Sequence, residues 1–193
     1  MRRLFETIEN FLERQDMIYH RQSTVPSEPD TLSLAVKFRA KHCRIWCEFF
    51  IRENQRSVIV VASGGVSVPE DRRAQVYEFI VRANYGLKWG RWDMDPSTGD
   101  VQFVHSFCAR ASSFLPATVK HLIGVVVSTY DNYHQGLCAV AYGQITPLDA
   151  VCQAEGPSPG VSAQVVSQLI GAHNDRGGDR SLEMHEPPAE GKD

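Results

Sequence analysis

The chain has 193 residues, of which 42% are hydrophobic, with a formal net charge of −3 and a pI of about 6.2. That length suits one hydrophobic core with residues to spare for a tail. The acidic balance disfavours nucleic acid as a partner, since such binders usually carry a basic excess. No apolar run approaches the ~20 residues that cross a bilayer. The five cysteines, Cys43, Cys47, Cys108, Cys138 and Cys152, are an odd number without an apolar leader at the N-terminus. This argues against a disulfide framework and for a reducing, cytoplasmic setting.

Leu4, Ile8, Phe11 and Leu12 recur at helical spacing with Glu6, Glu9, Glu13 and Arg14 between them, which predicts an amphipathic helix to about Gln15. Arg21 to Asp30, with Ser23, Pro26, Ser27 and Pro29, reads as a loop. The period then changes to two. Leu32, Leu34, Val36 and Phe38 form one face of a first strand, and Cys43, Ile45, Cys47, Phe49 and Ile51 one face of a second. The β-branched run Val58-Ile59-Val60-Val61 marks a third strand, closed by Ser63-Gly64-Gly65. Short connections make these three an antiparallel meander.

A helix follows. Ser67 and Glu70 have the spacing of a capping box, Pro69 is tolerated in a first turn, and Val76, Phe79, Ile80 and Ala83 give the apolar stripe. Gly86 is read as a terminator with positive φ. Trp89 to Met94 and Val101 to Cys108 form a hairpin around the turn residues Asp95 to Asp100. Pro116 opens the last main helix, buried through Val119, Leu122, Ile123, Val126, Val127 and Tyr130. Short helical additions are expected at Leu137 to Tyr142 and Pro147 to Cys152.

The expected architecture is therefore α+β, an antiparallel sheet with helices packed on one face, in the order α-β-β-β-α-β-β-α. The domain is expected over 1–154. From Glu155 onward the composition turns polar and rich in Gly and Pro, which predicts a disordered tail over 155–193 with a possible short helix at 161–170.

One stretch carries a recognisable pattern: Val68-Pro69-Glu70-Asp71-Arg72-Arg73, then Phe79-Ile80-Val81-Arg82-Ala83-Asn84-Tyr85-Gly86-Leu87, then Gly90-Arg91-Trp92-Asp93-Met94-Asp95 and Gly99-Asp100-Val101. It resembles the YbjN family of bacterial proteins, whose fold is similar to that of type III secretion chaperones. The element order matches over roughly Met1 to Ala150, the residues only over this central part. In the family a smaller aromatic is usual where this chain has Trp92. The resemblance implies a regulatory or chaperone-like role, homodimers that hold partner segments, and no catalytic motif.

Motifs with chemistry in them have plainer readings. Cys43 and Cys47 would stand about 13 Å apart on a strand and cannot share a zinc ion; they read as small buried hydrophobes. Ser63 lacks the nucleophile elbow of hydrolases. Gly64-Gly65 lacks the spacing of a phosphate loop. Asp93, Asp95 and Asp100 lie around a turn, where Asp bonds its own backbone. Lys37, Arg39, Lys41 and Arg44 surround Phe38 and Trp46, which is the composition of a nucleic-acid groove but equally of an outward strand face.

No catalytic residue, metal or cofactor is expected. The reading is a non-catalytic protein-binding domain, chaperone-like or regulatory and homodimeric, in the cytoplasm. Its candidate contact residues are Trp46 and Phe50, opposite the cysteine face, and Trp89 and Trp92 at the hairpin, because aromatics are enriched at interfaces. The alternatives are a ligand-binding or enzymatic pocket between helix and sheet, and a nucleic-acid-binding sheet.

Overall fold

The computed structural model describes residues 3–22, 30–109 and 114–156. In chain order these form α1 (Arg3–Arg14), β1 (Tyr19–Gln22), β2 (Thr31–Arg39), β3 (Arg44–Arg52), β4 (Ser57–Ser67), a 3₁₀ turn (Glu70–Arg72), α2 (Arg73–Gly86), β5 (Arg91–Met94), β6 (Asp100–Cys108), α3 (Pro116–Ala141) and α4 (Pro147–Glu155). The six strands make one antiparallel sheet in the order β1-β2-β3-β4-β6-β5. The expected element order is present, with β1 added at one edge and α4 at the end. Of the expected tail, 157–193, including the possible helix at 161–170, lies outside the described residues.

The core follows from alternation. On the inner face a row of partners, Val36, Cys47, Ala62, Phe103 and Trp92, crosses five strands, each residue no more than 1% exposed. Leu34, Phe49 and Val60 make the next row. Against them pack Leu4, Ile8 and Leu12 of α1, Val76, Phe79 and Ala83 of α2, and Val119, Leu122, Val126 and Tyr130 of α3. Each fully buried Val, Leu, Ile or Phe among them contributes about 1.5–3 kcal/mol by leaving water.

Several local expectations are corrected. β1 is not among the expected elements: its last two residues, Arg21 and Gln22, open the segment expected as a loop, and Tyr19 and His20 are given no element. Besides its pairing with β2 the strand has polar contacts with α1: the Tyr19 hydroxyl lies 2.9 Å from a carboxylate oxygen of Glu9 and of Glu13, its one proton shared between them, and Arg21 Nε lies 2.6 Å from Glu9. β4 does not stop at Ser63-Gly64-Gly65 but continues to Ser67 through a bulge, where the register against β6 shifts from Ser63↔Gln102 to Ser67↔Asp100. The Ser67–Glu70 capping box does not form; the Ser67 hydroxyl donates to the Thr98 carbonyl at 3.2 Å, and the 3₁₀ turn precedes α2. Gly86 ends α2 without a positive φ, whereas Gly90 has φ +74°. A Cβ at Gly90 would lie 2.5 Å from the Phe103 ring, so only glycine lets the chain enter β5 there. The expected addition at Leu137 is the continuation of α3.

β5 is an edge strand, and its exposed side is partly occupied. Asn84, near the end of α2, donates from Nδ2 to the Trp92 carbonyl at 3.0 Å and accepts the Trp92 amide at 2.7 Å. A side-chain amide thus takes the place of a neighbouring strand.

Candidate partner-binding face

The residues that alternate with the core project to the outer face of the sheet. Three rows cross it. Thr31, Arg52, Ser57 and Cys108 are polar; Ser33, Phe50, Ile59 and Ser106 follow; then come Ala35, Glu48, Val61, Val104 and Arg91. Phe50, Ile59 and Val61 are neighbours and half-buried, while Ala35 and Val104 beside them are buried. The described helices contribute their apolar residues to the opposite, inner face.

Trp46 and Phe50 share this outer face, as their alternation predicts. Trp46 is half-buried, donates from Nε1 to Glu48 at 2.8 Å, and has the Lys37 ammonium 4.8 Å from its ring centroid. Trp89 lies elsewhere. It precedes β5 at the far side of the sheet, is 58% exposed, and meets the edges of His105 and His121 at ring distances of 6.3 and 6.2 Å. Burial, with His121 nearby, lowers the pKa of His105.

Trp92 is corrected outright as a surface contact. It is fully buried, with ring centroids 5.3 Å from Phe103, 5.0 Å from Tyr130 and 6.0 Å from Tyr133. The four aromatics therefore do not form one site: two lie on the outer face, one beside His105 and His121, and one in the core. Ile59 and Val61 were missed as outer-face residues, because a continuous β-branched run hides which side each residue takes until the strand register is known.

The other chemical groups are taken up in structure. Asp95 accepts the amides of Ser97 at 2.7 Å and Thr98 at 3.3 Å, and these bonds, led by the Ser97 hydroxyl, lower its pKa. Asp93 pairs with Arg91 at 3.0 Å. Burial pushes the thiols of Cys47 and Cys43 up to about 12, aided at Cys43 by the Asp131 carboxylate, so neither is a ready nucleophile. Asp131 on α3 accepts the amides of His42 at 2.7 Å and Lys41 at 3.3 Å, which ties the β2–β3 turn to the helix. Burial raises the Asp131 pKa; these amides and the His42 ring outweigh it, and the net shift is downward.

The residues that suggested a family also explain themselves physically: Asn84 of the Arg-Ala-Asn-Tyr segment clasps Trp92 of the Gly-Arg-Trp segment, and Gly90 allows the approach. The chain belongs to the YbjN family, whose model, described as "Putative bacterial sensory transduction regulator", matches residues 5–138. A search of curated proteins returned no match. Among the described residues no helix is long and apolar enough to cross a membrane.

Proposed function

We propose that this YbjN-family chain is a non-catalytic regulatory domain that binds another protein, chaperone-like and homodimeric, through the outer face of its sheet. The observation that carries the reading is the asymmetry of the two faces. The middle of the inner one, from Val36 and Leu34 across to Phe103 and Trp92, is sealed to near-zero exposure by helices, whereas Trp46, Phe50, Ile59 and Val61 remain half-buried on the outer one. Apolar side chains left in that condition are characteristic of an interface. Membership of a regulator family points the same way. The commitment of Asp95 and Asp131 to backbone amides favours a non-catalytic role, and the free state of all five cysteines fits a cytoplasmic one.

The test is the solution mass of the full chain and of a version truncated after Ala154, alongside Trp46→Glu and Phe50→Asp. Dimers of both lengths, with dimerisation or partner recovery lost in the variants, are expected. Monomers of both lengths would overturn homodimerisation. Unchanged mass and partner recovery in both variants would remove the outer face from the account.

A further inference from the structure

The β2–β3 hairpin places two arginines where physical chemistry disfavours them. Arg39 and Arg44 are direct cross-strand partners, and Lys37 and Trp46 are the next pair on the same face. Like charges directly opposite in an antiparallel ladder destabilise it. No carboxylate among the described residues is paired with Lys37, Arg39 or Arg44, and the nearest acid along β3, Glu48, accepts from Trp46.

The backbone beside them is also unusual. The ladder of β3 with β4 begins at Trp46↔Ser63, so Arg44 and Ile45 have no partner on β4, which leaves into the bulge at Gly64. The Ala40 amide donates to the Cys43 carbonyl at 3.0 Å. By the alternation of antiparallel ladders, the Arg39–Arg44 pair is then a non-bonded one. The main-chain N–H and C=O of Arg44 therefore face the side that β4 has vacated. The result is a groove of about 600 Å³, lined by Lys37, Arg39, Arg44, Trp46, Ile45 and the Gly64–Gly65 bulge.

We propose that this groove takes an acidic, extended segment of a partner polypeptide. This deepens the protein-binding reading and rests on it. Carboxylates bind Arg39, Arg44 and Lys37, relieving the repulsion among them, with the fork of each guanidinium suited to bidentate pairing. The main-chain N–H and C=O of Arg44, which point away from β2, hydrogen-bond the segment as a strand would. The exposed part of Trp46 receives an apolar side chain. A peptide fits better than a nucleic acid because the cations form one compact cluster on a chain of net charge −3, not a track along a phosphate backbone.

The experiment is an NMR titration of the full chain at low salt with a blocked peptide of alternating glutamate and valine, its glutamine–valine counterpart, and oligothymidylate. Binding of the glutamate peptide is expected to shift the amides of Arg44 and Ser63 to Gly65 and to weaken with salt. Arg39→Gln/Arg44→Gln is expected to weaken it about tenfold while raising Tm, since both residues are exposed and their repulsion is removed. Equal binding of the two peptides, no binding of the glutamate peptide, or binding of oligothymidylate alone would overturn the proposal. Phe50→Asp lies outside the groove and keeps the wider reading separate. If it leaves mass and partner recovery unchanged, the outer face is not the interface, whatever the peptide does.

Discussion

The Tyr130 hydroxyl accepts the Gly64 amide at 2.6 Å, joining the middle of α3 to the bulge of β4. A Cβ on Gly64 would stand 2.8 Å from the Tyr130 ring, so the glycine and the tyrosine are fitted to one another. Burial raises the Tyr130 pKa, and the hydroxyl stays protonated at ordinary pH.

Tyr130→Phe leaves the Gly64 amide without its acceptor and should cost about 1 kcal/mol. Gly64→Ala forces the ring or the bulge to move and should cost about 1–3 kcal/mol. Because both act on one contact, the double variant should cost less than the sum of the two. Urea denaturation of the three variants checks this; strict additivity would mean that the contact is not shared.

Asn84→Ala removes both hydrogen bonds to the Trp92 backbone and should destabilise the chain by about 1–3 kcal/mol. Faster amide exchange should be confined to β5 and its neighbourhood. Exchange spread evenly over the sheet would show that Asn84 acts on the whole fold and not on that edge.

Acid should weaken the fold in two stages. Burial lowers the pKa of His105 and of His134, so between the unfolded value of about 6.5 and their folded values the unfolded chain binds more protons. That contribution is complete above the window and is lost as pH falls through it. Asp131 is also lowered in the folded state, so its contribution is lost at lower pH, through the carboxylate range. Denaturation midpoints measured across pH should show the first slope flattened in His105→Gln/His134→Gln and the second in Asp131→Asn. An Asp131→Asn profile parallel to that of the unaltered chain would contradict the assignment.

Acrylamide quenching separates the tryptophans. Trp89→Phe should remove the largest share of the accessible emission, since Trp89 is 58% exposed and Trp92 is fully buried. A larger loss from Trp92→Phe would contradict the burial of Trp92 in the core.

Much of this was legible in the chain because periodicity records burial. The two-residue alternation of Ile45, Cys47, Phe49 and Ile51 against Trp46 and Phe50 gave both faces of β3, and the stripe of Val76, Phe79, Ile80 and Ala83 gave α2. What failed depended on contacts distant in sequence. Gly64-Gly65 looks like a strand terminator until Tyr130, sixty-six residues on, is placed beside it. Trp92 looked like an interface aromatic, though the charges at Arg91 and Asp93 on either side mark it as the inward residue of a short strand. The facing of Arg39 and Arg44 appears only once the hairpin register is fixed at Phe38↔Ile45.

The clasp of Asn84 on Trp92 bears on how copies of this chain could associate. Both main-chain groups of Trp92 on that edge are already taken, so among the described residues the other edge, β1, is where the whole sheet could be enlarged by a further strand. Two copies meeting there would use up that side in each, and growth would end with the pair instead of running on as a fibre.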